Sequence, residues 1–261
     1  MFARRTGTSR NPGCGCHVNR SSWSGVAPCS TPLMEQPAPP VMFAIVGDSA
    51  AGKTTLASGI AAFLGSERVL EICTDDYHRY DRTERKVRAI TPLNPDCNYL
   101  DVLERHLGVL AAGKPVLKPV YHHTHGTLER PEYVAPRQYV IVEGLLGLHT
   151  AAMRSHYDVS VYLDPPEELR HAWKITRDTT KRNYAREVVL AELETREEDS
   201  ARFIRPQRDE ADIVVRFSPS ETDGGDTRGR FNVRLLLRSR LPHPDLTDVL
   251  AIAMGDPPPL R

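Results

Sequence analysis

Residues Gly47 to Thr54 read G-D-S-A-A-G-K-T and match the pattern G-x-x-x-x-G-K-[ST], a glycine-rich turn that wraps nucleotide phosphates. The apolar run Val41 to Val46 precedes the turn, and Lys53 to Leu64 follows with apolar residues on one helical face. A helix start offers unpaired backbone N–H groups to an anion. The sequence therefore predicts a nucleotide site, with Lys53 on the outer phosphates and the Thr54 hydroxyl on Mg²⁺. The nucleotide-binding residues assigned from it are Gly47, Asp48, Ser49, Ala50, Ala51, Gly52, Lys53, Thr54 and Thr55.

Strand-like and helix-like segments alternate after this loop. The predicted strands are Val69 to Cys73, Tyr139 to Glu143, Asp158 to Leu163, Ala211 to Phe217 and Phe231 to Arg238, and the predicted helices are Asn98 to Ala112, Pro166 to Thr176 and Tyr184 to Glu198. The alternation predicts an α/β fold of the P-loop NTPase type, with a mainly parallel sheet and helices on both faces. Ligands of such sheets bind at the carboxyl ends of the strands. The long stretch from Asp75 to Arg137 is irregular, and such segments are usually functional or disordered.

The first forty residues differ from the rest in composition. They are rich in Arg, Ser and Thr, have no acidic residue before Glu35 and close on the run Pro37 to Pro40. We expect a disordered tail over residues 1–40. One alternative is a transit peptide, and another is an over-long start, in which Met34 or Met42 is the true first residue. One main domain is predicted over 41–245 and a C-terminal tail over 246–261.

The overall composition restricts the classes of partner. The 34 basic and 34 acidic residues balance, so no global field favours nucleic acid or a membrane surface. No apolar run approaches the roughly 20 residues of a membrane span. The five cysteines are odd in number and unevenly placed, which does not suggest a disulfide framework. A reducing, cytoplasmic location is expected, with a plastid as the alternative if the tail is a transit peptide.

A charged cluster follows the second predicted strand. Phosphoryl transfer to an alcohol needs a carboxylate to take the hydroxyl proton and cations to hold charged oxygens. Asp75 is the candidate base, and His78 and Arg82 are expected to face an anionic substrate. The alternative is a solvated loop of paired acids and arginines.

Two further groups complete the predicted site. Glu143 ends an apolar strand opposite the phosphate loop, where a carboxylate can hold Mg²⁺ directly or through water. Lys174, Arg177 and Lys181 share one face of a helix that follows a strand end, as in a lid over phosphates. An ordinary basic surface helix is the alternative there.

Histidines cluster in the irregular segment, where Tyr121 is followed by His122, His123 and His125. They suit contacts with substrate hydroxyls and phosphate, and zinc is a weaker alternative because no second ligand cluster is evident. A zinc site in the tail, from Cys14, Cys16, His17 and Cys29, is also disfavoured by its spacing.

Taken together, the motifs resemble the phosphoribulokinase family of P-loop kinases. The resemblance runs from Val41 to Phe217 and rests on G-D-S-x-x-G-K-T, T-D-D-Y-H-R-Y-D-R, G-K-P-V-L-K-P-V-Y-H-H, V-I-V-E-G-L and A-W-K-I-T-R-D. It implies ATP- and Mg²⁺-dependent phosphorylation of D-ribulose 5-phosphate at O1, a Calvin-cycle step, and a homodimer. Alternatives are a kinase of uridine or another small hydroxyl compound, and an ATP-binding regulatory module without turnover.

The resemblance also implies residue roles. The catalytic residues would be Lys53, Asp75 and Asp178, the metal would lie on Thr54 and Glu143, and the substrate would contact His78, Arg82, Tyr121, His123, Lys174, Arg177 and Arg182.

The chain departs from the family pattern in three places. Ala51 stands where plant and cyanobacterial members carry a cysteine, so Cys73 lacks its partner and no thioredoxin-type control through this pair is expected. Asn94 replaces an aspartate, which puts the sugar specificity in doubt. The region after Phe217 is shorter, which puts dimerisation in doubt.

Overall fold

The computed structural model describes residues 38–219 and 231–238. The predicted tails lie outside these described residues, apart from residues 38–40.

A six-stranded sheet forms the centre of the described fold. Its strands are β1 (Val41–Gly47), β2 (Val69–Cys73), β5 (Tyr139–Gly144), β6 (Val159–Asp164), β7 (Ile213–Pro219) and β8 (Phe231–Leu237). Across the sheet they lie in the order β2-β5-β1-β6-β7-β8. The first five in this list run parallel, and β8 pairs antiparallel with β7. All the strands expected from the sequence are present, and the predicted fold class is confirmed.

Helices cover both faces of the sheet. They are α1 (Lys53–Leu64), α2 (Arg82–Arg88), α3 (Leu100–Ala111), α4 (Ala151–Arg154), α5 (Glu167–Lys181) and α6 (Arg186–Asp199). Alternate residues of β1 explain the two layers: Met42 packs with Leu103 and Leu107 of α3, while Ile45 packs with Ala57 of α1. Because apolar residues occur at every position of β1, the strand is buried on both faces, as expected of a central parallel strand.

The segment predicted to be irregular contains a two-stranded antiparallel hairpin, β3 (Val116–His122) and β4 (Thr127–Val134). The hairpin was missed because β4 is exposed along all but its last residue, so its burial does not alternate. Helix α2 in the same segment begins with a capping box between Asp81 and Glu84.

The helix predicted to end at Thr176 continues to Lys181, so the basic face belongs to one helix of 15 residues. None of the helices in the described parts is long and apolar enough to cross a membrane.

Candidate active site

The phosphate loop links the central strand β1 to α1. Gly52, just before α1, has a φ of 95°, a left-handed conformation that residues with a side chain adopt at a cost. Lys53 Nζ donates to the Asp48 carbonyl at 2.9 Å, so the ammonium lies over the turn. Thr54 and Thr55 are exposed at the helix start. This is the geometry of an anion site at a helix N-terminus.

Asp48 is buried and braces the loop from within. Its carboxylate accepts from the Ser49 N–H at 2.6 Å and from the Ser200 hydroxyl, and the Arg170 guanidinium lies 3.5 Å away. Arg170 lies in the first turn of the lid-side helix α5, and Ser200 begins the π-helical turn that follows α6. The loop is therefore held by the far end of the domain as well as by its own strand.

Glu143 lies at the end of β5, beside the phosphate loop. Its Oε1 accepts from the Thr54 hydroxyl at 3.2 Å. Burial, and secondarily Asp75, raise the pKa of Glu143, although Lys53 opposes the shift. A hydroxyl and a carboxylate that meet beside a phosphate site are oxygen ligands of the kind that Mg²⁺ prefers, so the residues fit that ion.

Asp75 follows β2 in a 3₁₀ turn, Thr74–Tyr77. Burial opposes its ionisation, but the nearby basic groups His78, His123, Lys53 and Arg85 outweigh burial and hold the pKa of Asp75 below the ordinary value. Within the described residues, no side chain hydrogen-bonds the Asp75 carboxylate. The result is a half-buried carboxylate that is ionised at neutral pH and whose oxygens are free to accept a proton.

His78 is buried beside Asp75. Burial lowers its pKa even though Asp75 raises it, so the ring is neutral at pH 7. Its Nδ1 lies 2.7 Å from Asn98 Oδ1. The Asn98 amide already donates to the carbonyls of Pro92 and Asn94, so its oxygen must accept and His78 Nδ1 must carry the proton. The other ring nitrogen, Nε2, is then an acceptor.

Asp76 points the other way and anchors the hairpin. Its carboxylate binds Lys118 Nζ at 2.5 Å and accepts from the Tyr121 N–H at 2.9 Å. Both Asp76 and Lys118 are buried. This pair fixes β3 against the end of β2 and so brings Tyr121 and His123 to the edge of the sheet that carries Asp75.

Arginines 82 and 85 support this arrangement from α2. The Arg82 guanidinium donates to the carbonyls of His123 and Thr124, the latter at 3.3 Å, so it holds the hairpin turn. The Arg85 guanidinium donates to the Tyr121 hydroxyl at 2.6 Å and acts on the charge of Asp75. We call Asp75, His78, Arg85, Tyr121 and His123 the acceptor cluster.

A second group, the lid cluster, combines Lys174, Arg177 and Asp178 of α5 with Arg182, just after α5, and Glu192 of α6. Asp178 is fully buried and receives Lys174 at 2.7 Å, Arg177 at 2.8 Å and Arg182 at 3.4 Å. Burial raises the pKa of Asp178, but the hydrogen bonds from Arg177 and Lys174 dominate and lower it to about 2.

The contacts of the lid cluster run within α5 and to α6, where Glu192 lies 3.3 Å from Lys174. Burial and Arg196 lower the pKa of Lys174, although Asp178 and Glu192 act in the opposite direction. The roles predicted for Lys174, Arg177, Asp178 and Arg182 at the substrate stay predictions, because here these side chains satisfy one another. Lys181, placed on the same face by its spacing, is exposed.

An open cavity of about 510 Å³ lies on the other side of the phosphate loop. Asp48, Pro166, Arg170, Arg208 and Phe217 contribute to its lining. Its volume falls within the range of small-molecule sites.

Comparison with known proteins agrees with this geometry. The model of the Phosphoribulokinase / Uridine kinase family matches residues 42–222. The chain belongs to this family. It is 37% identical to a phosphoribulokinase of Synechocystis sp. over 180 residues, which are 69% of this chain and 54% of that protein. It is 29% identical to a uridine kinase of Chloroflexus aurantiacus over 180 residues, 67% of this chain and 86% of that protein.

The fold matches that of a solved family structure. Phosphoribulokinase from Rhodobacter spheroides superimposes with a TM-score of 0.61 over 83% of this chain and 85% of that one, at 18% identity. At that identity the likeness concerns the fold alone. The chain spans about half the length of the curated phosphoribulokinases that it matches.

Sequence reasoning missed several residues of this family member's site. Arg85 was overlooked because α2 reads as an ordinary charged surface helix, and Arg170 and Ser200 lie far from any motif. The candidate base predicted from the sequence was Asp75, whereas the role of the adjacent Asp76 as the partner of Lys118 was not predicted.

The structure shows the surroundings of Asn94 and of the histidine cluster, whose roles the sequence left open. Asn94 caps the 3₁₀ turn Pro95–Cys97 and its amide donates to Asp199 at 3.4 Å, where an aspartate would meet a like charge. His122 stacks on His125 with ring centroids 4.5 Å apart, whereas His123 packs on Tyr121. The zinc alternative that joined all three histidines therefore has no support in the described residues.

Proposed function

We propose that the protein transfers the γ-phosphoryl group of ATP to O1 of D-ribulose 5-phosphate, giving ribulose 1,5-bisphosphate. The observation that carries the proposal is the ionised Asp75 carboxylate, held among cations at the same sheet edge as the phosphate loop and Glu143. A kinase of an alcohol needs this combination of a free base, a phosphate site and a carboxylate for the metal.

The reaction follows from these placements. Asp75 accepts the proton of the attacking hydroxyl as the O–P bond forms, and Lys53 stabilises the negative charge on the transferred group. Mg²⁺ on Thr54 and Glu143 would neutralise charge on the phosphate oxygens. The loop amides and α1 orient the phosphates, and the cavity beside Asp48 has room for the base and ribose of ATP.

The acceptor cluster favours a charged sugar over a neutral nucleoside. Arg85 is half-buried, carries a fixed positive charge and lies against Tyr121, so a phosphate near it gains a charge-assisted hydrogen bond. His78 is neutral with Nε2 as an acceptor, so we assign it to a sugar hydroxyl rather than to the phosphate.

Uridine or another small hydroxyl compound is the second candidate acceptor. It is favoured by the coverage of the uridine kinase relative, 86% of whose length the chain matches, against 54% for the Synechocystis phosphoribulokinase. An ATP-binding module without turnover is disfavoured, because Lys53, Asp75 and Glu143 are all in place. A cytoplasmic location and a homodimer stay predictions.

A coupled assay of ADP release separates the three candidate functions, which are phosphorylation of ribulose 5-phosphate, phosphorylation of uridine and ATP binding without turnover. The full chain is supplied with Mg²⁺ and ATP and with ribulose 5-phosphate, uridine or no acceptor. We expect ADP release with ribulose 5-phosphate to exceed both others by more than about 100-fold, with a product that is a bisphosphate by mass spectrometry. Faster turnover with uridine would replace the proposed acceptor, and a rate equal to the background with all three would leave only the regulatory module.

A further inference from the structure

Three different metal-binding side chains, one of which is the proposed base, lie close together at the end of β2. The ligand atoms of Cys73, Asp75 and His123 all lie within 4.8 Å of one another. Cys73 ends β2, Asp75 lies two residues on in the 3₁₀ turn, and His123 comes from the hairpin turn. In a tetrahedral zinc site the ligand atoms are about 3.5 Å apart, so binding needs only small side-chain rotations, chiefly of the exposed His123.

The chemistry of this set differs from that of the neighbouring magnesium ligands. Thr54 and Glu143 offer oxygen alone, which suits Mg²⁺. A thiolate, an imidazole and one carboxylate suit Zn²⁺ and similar thiophilic ions, which Mg²⁺ does not displace from sulfur. Two adjacent positions can therefore hold two different cations.

The surroundings also favour a cation at this point. Cys73 is in register with Glu143 on β5, and the Glu143 carboxylate is close enough to act on the ionisation of the thiol. Burial, followed by Asp75 and Glu143, raises the pKa of the Cys73 thiol. The two carboxylates favour a cation beside the thiol, whereas Lys53 and Arg85 oppose one. Since His123 is exposed, an ion from solvent reaches the group without opening the core.

We propose that Cys73, Asp75 and His123 form an inhibitory site for Zn²⁺. A zinc ion there takes up the Asp75 lone pairs that would accept the substrate proton, and it displaces the proton of the Cys73 thiol on binding. The binding part of this proposal is independent of the acceptor, whereas the inhibitory part rests on the proposed function.

Binding is tested on the full chain without nucleotide, using Co²⁺ as a spectroscopic probe and Zn²⁺ in a buffered calorimetric titration. We expect a near-ultraviolet cobalt–thiolate band and about one Zn²⁺ bound in a background with Cys14, Cys16 and Cys29 changed to serine, which removes the tail thiols. Cys73→Ser in that background should abolish the band. A band that persists in Cys73→Ser, or is absent before that change, overturns the proposal.

A histidine pair supplies the matched control. His123→Ala should weaken Zn²⁺ binding by more than about 10-fold, whereas His122→Ala should change it less than twofold, because His122 faces His125. Equal effects of the two variants would contradict the assignment of His123. Circular dichroism confirms that each variant is folded.

Inhibition is tested by ADP release at saturating Mg²⁺ and ATP with free Zn²⁺ held by a metal buffer. We expect Zn²⁺ to lower turnover more than 10-fold, reversibly with a chelator, and the midpoint to move up at least 10-fold in Cys73→Ser, in which serine keeps a donor toward Glu143. Binding without inhibition would remove the inhibitory role. A chain with no kinase activity at all would refute the proposed function while leaving the spectroscopic result to decide on the site.

Discussion

The acceptor cluster and the lid cluster are both carboxylates surrounded by cations, but they leave their carboxylates in opposite states. Asp178 is fully buried and bound by Lys174, Arg177 and Arg182 at 2.7–3.4 Å. Asp75 is half-buried and lies near the cations Lys53 and Arg85 and the histidines His78 and His123, without a side-chain hydrogen bond in the described residues. Both have a lowered pKa, so the direction of a shift alone does not separate a reactive carboxylate from a structural one. Side-chain hydrogen bonds to the carboxylate do separate them, because in the described residues Asp178 accepts such bonds and Asp75 does not.

Loss of the Asp75 carboxylate should have the largest effect. Asp75→Asn removes the proton acceptor without changing size, so kcat should fall by about 10²- to 10⁴-fold while the Kd for ATP stays within about threefold. Steady-state ADP release and calorimetric ATP binding measure the two quantities. Asp101→Asn, at an exposed position on α3, is the control. Unchanged turnover in Asp75→Asn would remove Asp75 from the role of base.

In the lid cluster, the corresponding change should act on stability. Asp178→Asn leaves the buried Lys174 with Glu192 alone, so the free energy of unfolding should fall by about 3 kcal/mol. Urea unfolding at pH 7 measures it, with Asp101→Asn again as the control. A fully stable variant would contradict the structural role of Asp178.

The stability of the unmodified protein and that of Asp178→Asn should also depend differently on pH. The folded-state pKa of Asp178 is lowered from 3.8 to about 2, so its stabilisation is present above pH 4 and is lost as the pH falls from about 4 to about 2. The unfolding free energy of the unmodified protein should therefore fall more steeply than that of Asp178→Asn over this window. The full difference corresponds to about 2 kcal/mol. Parallel curves below pH 4 would show that the ion network does not form in solution.

Arg85 provides a smaller test of the acceptor cluster. Arg85→Met keeps the length of the side chain but removes its charge and its bond to Tyr121, so kcat/KM for ribulose 5-phosphate should fall by about 10- to 100-fold. Arg88→Met on the same helix is the matched control, since Arg88 stacks on Tyr80 and is exposed. Equal losses in the two variants would indicate a general effect of helix charge.

The smallest effect is expected from oxidation. Ala51 leaves Cys73 without the partner implied by the family resemblance, and one thiol cannot close a bridge. A mild disulfide oxidant should change activity less than about twofold in the presence of a chelator. Reversible, intramolecular loss of activity that depends on Cys73 would contradict this expectation.

The sheet was predictable because β1, β2, β5 and β6 are short apolar runs with clear ends, and burial on both faces leaves a continuous hydrophobic signal. The hairpin was not predictable, because β4 exposes nearly every side chain and Pro131 interrupts its pattern. Its position depends on the buried Asp76–Lys118 pair, whose partners are 42 residues apart. The spacing of residues along the chain does not predict a contact between two residues so far apart in the sequence.

The candidate site likewise contains residues that could be predicted from the sequence and residues that could not. The phosphate loop and Glu143 follow from motif and strand end, so their neighbourhood could be inferred. Arg85 and Arg170 lie on helices with many charged residues, and only packing decides which of these arginines turn inward. Charge patterns on a helix do not report which residue meets a buried partner.

The Asp76 anchor also bears on how acceptor choice can evolve. It holds the hairpin at Lys118 and at the Tyr121 amide, while residues 123–125 at the tip are exposed. The tip can therefore change sequence or length while the anchor and the phosphate loop stay intact. Substitution of His123 at the tip therefore changes one residue of the acceptor cluster while the fold and the phosphate loop keep their own contacts.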